Sequence, residues 1–107
     1  MKGEPRMDRV SSESLSRLYE VILELRTVEE CYDFFEDLCT IKELKDLSQR
    51  LDVAFLLDKG LSYQQVAAQT GVSSATICRV KKCLDYGSGG YRRAIDRAGA
   101  EGNADER

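Results

Sequence analysis

Two short helical patterns meet at Thr70-Gly71-Val72, and this junction restricts the fold more than any other stretch of the chain. Before it, Ser62-Tyr63-Gln64-Gln65 has the S-x-x-Q form of a capping box and opens a helix over Tyr63 to Gln69, with Val66 and Ala67 facing inward. After it, Ser73 can cap a second helix whose Ile77, Val80 and Leu84 recur at i, i+3 and i+7 as one buried face. Helices of two or three turns do not persist alone in water, so each must be held by packing. Gly71 supplies the positive φ for a sharp exit from the first helix, small Ala67 permits a close crossing, and Val72 fills the corner. A small residue, three more, a glycine, an apolar residue, then two apolars five and eight places later is the spacing of a helix-turn-helix.

The remaining helix starts are marked as clearly. Ser11-Ser12-Glu13 leads into Leu15, Leu18, Tyr19, Ile22 and Leu25, spaced for one helical face. Thr27-Val28-Glu29-Glu30 and Thr40-Ile41-Lys42-Glu43 both read as capping boxes. The second opens the longest helix, running to Lys59 and stopping at Gly60. No stretch sustains period-two alternation, so the fold class is all-α. Asp85 to Gly90 reads as a flexible break, followed by a short basic helix from Tyr91 to Ala98. The domain organisation expected is a flexible arm over 1–10, one helix-turn-helix domain over 11–98, and a disordered tail over 99–107.

A 107-residue chain buries a modest core, yet its apolar stripes are broad. Val21, Leu23, Val53, Leu56 and Leu57 would stand partly exposed in a monomer, which points to a homodimer whose N-terminal helices share a core.

Net charge is −3, but its distribution matters more. From Glu13 to Asp58 the balance is −7; from Gly71 to Arg97 it is +4. The longest apolar run, Val53 to Leu57, is far too short to span a membrane, and the charged N-terminus has no apolar signal core, so cytoplasm is expected. Cys31, Cys39, Cys78 and Cys83 lack metal-ligand spacing and there is no histidine; they read as reduced thiols serving as small core residues, with no metal site. Without histidine, a phosphate-binding glycine loop or isolated paired carboxylates, no catalytic residue is assigned and the chain does not read as an enzyme.

With Ile77, Val80 and Leu84 turned inward, the opposite face of the second short helix carries Ser74, Ala75, Cys78, Arg79 and Lys82, with Ser73 at its start and Lys81 in the same basic run. Short side chains near the N-terminus permit approach to base edges, and cations further along suit phosphate. Gln64, at the start of the preceding helix, can reach a phosphate or a base. The partner this face fits is a double-stranded DNA operator.

From about Thr40 to Leu84 the chain resembles the Trp repressor superfamily, through Leu47-Ser48-Gln49-Arg50, Gly60, Ser62, Gly71 and Ala75-Thr76-Ile77-Cys78-Arg79. Gly89-Gly90-Tyr91 and the Cys- and Asp-rich N-terminal half resemble its YerC/YecD-type branch. The resemblance implies an intertwined all-helical dimer that reads an operator half-site in each major groove, and a sequence-specific transcriptional regulator of the repressor kind. In the tryptophan-dependent repressor a threonine and two arginines hold the amino acid; Thr40, Arg50 and Arg79 match them here. The glycine after the second arginine is Val80 in this chain, and a serine near the ligand's amino group is Cys83. Val80 fills space an indole needs, and Cys83 is a poor hydrogen-bonding substitute, so the expectation is a closed reader without cofactor, with tryptophan or another small effector disfavoured. Two other classes compete: a protein-interaction adaptor on a helix-turn-helix scaffold, and a thiol- or metal-responsive DNA-binding switch.

Overall fold

The computed structural model describes residues 12–105, with side chains over residues 12–99; the expected arm over 1–10 lies outside them. The described residues form α1 (Glu13–Leu23), α2 (Val28–Leu38), α3 (Ile41–Asp58), α4 (Tyr63–Thr70), α5 (Ser74–Tyr86) and α6 (Gly90–Asp105), with no strand among them. Two compact units divide between Cys39 and Thr40. Burial supplies the physical reason. No residue of α1 or α2 is buried, whereas α3 to α6 share one core.

In the first unit, Ser12 caps α1 by accepting from the Leu15 N–H (3.0 Å), and Thr27 caps α2 by accepting from the Glu30 N–H (3.0 Å). The box expected at Thr27 closes differently. Glu30 Oε1 accepts from the N–H of Arg26 (2.9 Å), one residue before the cap. Thr27 sits at φ −132°, against −76° and −74° at Thr40 and Ser62, which turns its own N–H away from the carboxylate. Both helices expose large apolar side chains, including Tyr19, Val21, Val28, Tyr32 and Leu38, with Leu23 81% exposed. Phe34 and Phe35 meet edge to face at 5.3 Å.

In the second unit, Thr40 and Ser62 each close a full capping box at the starts of α3 and α4. α3 ends in a Schellman turn: Gly60 N–H donates to the Leu57 carbonyl and Leu61 N–H to the Leu56 carbonyl. The core is Val53, Ala54 and Leu57 of α3, Val66 of α4, Ile77 and Val80 of α5, and Ile95 of α6. Two expectations are corrected here. Val53 and Leu57 are core residues, because α4, α5 and α6 all converge on the C-terminal half of α3, whereas Leu56 packs against them and stays partly exposed as expected. The surplus apolar surface lies instead N-terminal to Asp52, where Leu47 and Leu51 are exposed and Ile41 is 86% exposed.

α6 begins at Gly90 and continues to Asp105, so 99–105 is helical where an irregular tail was expected. Arg92 fastens its first turn to the end of α3: its Nη1 donates to Asp58 Oδ1 at 2.6 Å and stands 3.7 Å from Asp96 Oδ1. No helix among the described residues is long and apolar enough to cross a membrane.

Candidate nucleic-acid interface

The turn between α4 and α5 is built from backbone upward. Gly71 adopts φ +76° and donates its N–H to the Ala67 carbonyl at 2.8 Å, ending α4. Thr70 Oγ1 donates to the Val66 carbonyl (2.8 Å) and accepts from the Val72 N–H (3.2 Å), so one hydroxyl clamps the corner from both sides. Gln49 Nε2, reaching over from α3, donates to the Thr70 carbonyl at 3.4 Å. Gln49 and Thr70 are positioning residues that the spacing argument passed over. A glutamine two residues after an apolar stripe position carries no local signal of a partner 21 residues away. Val72 is half-buried against the core, and Ser73 caps α5 by accepting from the Thr76 N–H at 3.2 Å.

With Ile77 and Val80 buried and Leu84 packed beside them, α5 can present only its other side to solvent. Ser73, Ser74, Ala75, Cys78, Arg79 and Lys82 are all exposed, and Gln64 is exposed on α4. The structure thus brings Ser74, Ala75, Cys78, Arg79 and Lys82 onto one helix face, with Gln64 on the neighbouring helix. Lys81 differs: it is half-buried and its Nζ lies 3.4 Å from Asp85 Oδ2, which offsets its charge locally. Arg79 and Lys82 pair with no carboxylate among the described residues, so their charge faces outward.

Elsewhere in the basic segment, the Asp58 hydrogen bond and carboxylate charge, with Asp96 adding to them, push the Arg92 pKa up, and that cation is committed to holding α6. The cysteine expectation is corrected. None of the four is buried, and Cys78 stands exposed among the candidate contacts, because its place on α5 is opposite Ile77 and Val80. Among the described residues no group of three or more cysteine, aspartate or glutamate side chains could hold a metal ion.

Beside the turn, an open polar groove of about 320 Å3 is lined by Lys42, Asp46, Gln49 and Arg50 of α3 with Val72, Ser73 and Thr76. Of the three candidate effector residues, only Arg50 lines it. Thr40 is the α3 cap, its hydroxyl accepting from the Glu43 N–H (3.1 Å), and Arg79 is on the exposed face of α5. Val80 is 1% exposed, its side chain spent on the core. Cys83 is half-buried.

Comparison with known proteins agrees with this geometry. The family model described as Trp repressor protein matches residues 13–99. The uncharacterized protein YerC of Bacillus subtilis (strain 168) is 48% identical over 91 residues, which is 85% of this chain and 88% of YerC. The solved structure of a TrpR-like protein from Eubacterium eligens is similar with a TM-score of 0.80 and 45% identity, over 82% of this chain and 91% of that one. A second solved structure, from Staphylococcus aureus, also has a TM-score of 0.80, at 43% identity over 83% of this chain and 89% of that one. A helix-turn-helix with an outward basic face, found on a chain that shares this sequence and this fold over most of its length, places the protein in the Trp repressor family of DNA-binding regulators.

Proposed function

We propose that this protein is a sequence-specific transcriptional repressor that binds a double-stranded DNA operator as a homodimer and needs no tryptophan. The observation that carries the reading is the α5 face: two unpaired cations, Arg79 and Lys82, beside the short side chains of Ser74 and Ala75, on a helix fastened to the core. Small residues at the start of such a helix can meet base edges in the major groove, and the cations meet phosphate. Ser73, Gln64 and the backbone around Gly71 add contacts at the entry to the groove, while Lys81 must exchange Asp85 for phosphate before it contributes.

Dimerisation is supported by burial. Neither α1 nor α2 buries a residue, and α3 exposes Ile41, Leu47 and Leu51, a breadth of apolar surface that soluble monomers rarely show. A second copy of the same chain covers such surfaces symmetrically. Independence from tryptophan is supported by Val80, whose branched side chain already occupies the interior beneath α5.

Selection of bound duplexes from a random pool, run with and without free amino acids, tests the whole reading. A palindromic sequence enriched equally in both arms is the expected result. No enrichment defeats the DNA reading, and enrichment only with tryptophan defeats the closed-reader part of it. A thiol-responsive version is favoured by one observation, the exposed Cys78 in the middle of the contact face. DNA affinity that falls on mild oxidation and returns with reductant would establish it.

A further inference from the structure

We propose that α6 carries a second phosphate-contacting patch, made by Arg93 and Arg97, which extends the DNA footprint beyond the reading helix. The inference rests on the DNA-binding reading above. Four observations converge on it. Tyr91 packs against the core and Ile95 is buried in it, so at helical spacing Arg93 and Arg97 fall on the opposite, solvent side of α6, and both are exposed. The neighbouring Arg92 hydrogen-bonds Asp58 and stands 3.7 Å from Asp96, so both of these carboxylates already face a cation other than the outer pair. Neither Arg93 nor Arg97 pairs with a carboxylate among the described residues. Finally, α6 runs to Asp105, so Arg97 stands within a continuous helix instead of at a fraying end.

Two like charges four residues apart on one helix face repel each other, and the free helix gains nothing from them. A polyanion laid across the face turns that repulsion into attraction. α5 repeats the arrangement, with Arg79 and Lys82 unpaired one turn apart on its own solvent side, in the same compact unit. Linked phosphates are the ligand that can engage two such cation pairs at once, and planar guanidinium groups suit phosphate oxygens. Because the contact is to backbone, it adds affinity and salt sensitivity without changing the preferred sequence.

The test compares the full chain with Arg93→Gln/Arg97→Gln, Arg93→Lys/Arg97→Lys and Lys82→Gln on the duplex enriched by selection. Each affinity is measured across a salt series, with dimer mass checked by sedimentation. The glutamine pair should flatten the slope of log affinity against log salt by about 2 per bound protomer, the lysine pair should restore it, and the enriched sequence should stay the same. An unchanged slope for the glutamine pair, while Lys82→Gln flattens its own, overturns this inference and leaves the DNA reading standing. Loss of the dimer in the glutamine pair also overturns it, by assigning the arginines to a subunit contact. Absence of duplex binding by the unaltered chain defeats both.

Discussion

Replacing Gly71 by alanine separates two reasons a glycine can occupy the corner of a helix-turn-helix. A Cβ built at Gly71 meets nothing within 4 Å, so there is no close approach to violate. What remains is φ +76°, in the left-handed region, where an alanine costs about 1–2 kcal/mol. Restricting the unfolded chain returns about 0.4–1 kcal/mol, leaving a net loss of roughly 1 kcal/mol. For a cooperative unit of this size that lowers Tm by about 4–8 °C. Asparagine tolerates the left-handed region better, so Gly71→Asn should recover part of the loss.

Gly87 provides the contrast. Its φ of −83° suits any residue, but an added Cβ would overlap the Cys83 carbonyl oxygen, which is backbone and cannot swing aside. Gly87→Ala should therefore cost about 1–3 kcal/mol through forced movement of the α5 end, and Gly87→Asn should recover none of it. Urea unfolding followed by circular dichroism, at one chain concentration throughout, measures all four variants. If Gly71→Asn is no more stable than Gly71→Ala, or Gly71→Ala matches the unaltered chain, the left-handed turn is not the reason for the glycine.

Lys82→Gln should weaken binding to every duplex and flatten the salt slope by about 1 per bound protomer, whereas Ser74→Val should change the sequence enriched by selection. Placing charge on the exposed stripe of α3, as Leu47→Glu/Leu51→Glu, should yield monomers by sedimentation while the far-ultraviolet signal of helix persists; an unchanged dimer would show that this stripe is not the interface. Ile77→Ala, at a fully buried site, should cost about 2–5 kcal/mol in urea unfolding, far more than Cys78→Ala on the exposed side of the same helix. Titrating tryptophan into the protein–duplex mixture should leave the affinity where it was.

The helix starts were legible because a cap is a conversation among residues three apart. Ser12, Thr27, Thr40, Ser62 and Ser73 all stand at N-caps, and each accepts the expected backbone N–H. The helix-turn-helix was legible for the same reason, since its spacing restates a local geometry around one positive φ at Gly71. The solvent face of α5 followed from the inward positions of Ile77 and Val80 alone.

Choices among equivalent apolar residues were not local. α3 offers a long stripe, and nothing in its composition says that Val53 and Leu57 are covered while Ile41 and Leu47 are bare; the convergence of α4, α5 and α6 on one end decides it. The Gln49–Thr70 bond and the Arg92–Asp58 pair join residues 21 and 34 positions apart, beyond the range of any spacing rule. That second pair matters for function, because it settles which cations of the basic segment are committed to structure and which remain facing solvent. Local patterning determined where this chain turns helical and which way its short helices face. Long-range packing determined what is buried and which charges are left unpaired, since burial and pairing depend on elements that meet only once the chain has folded.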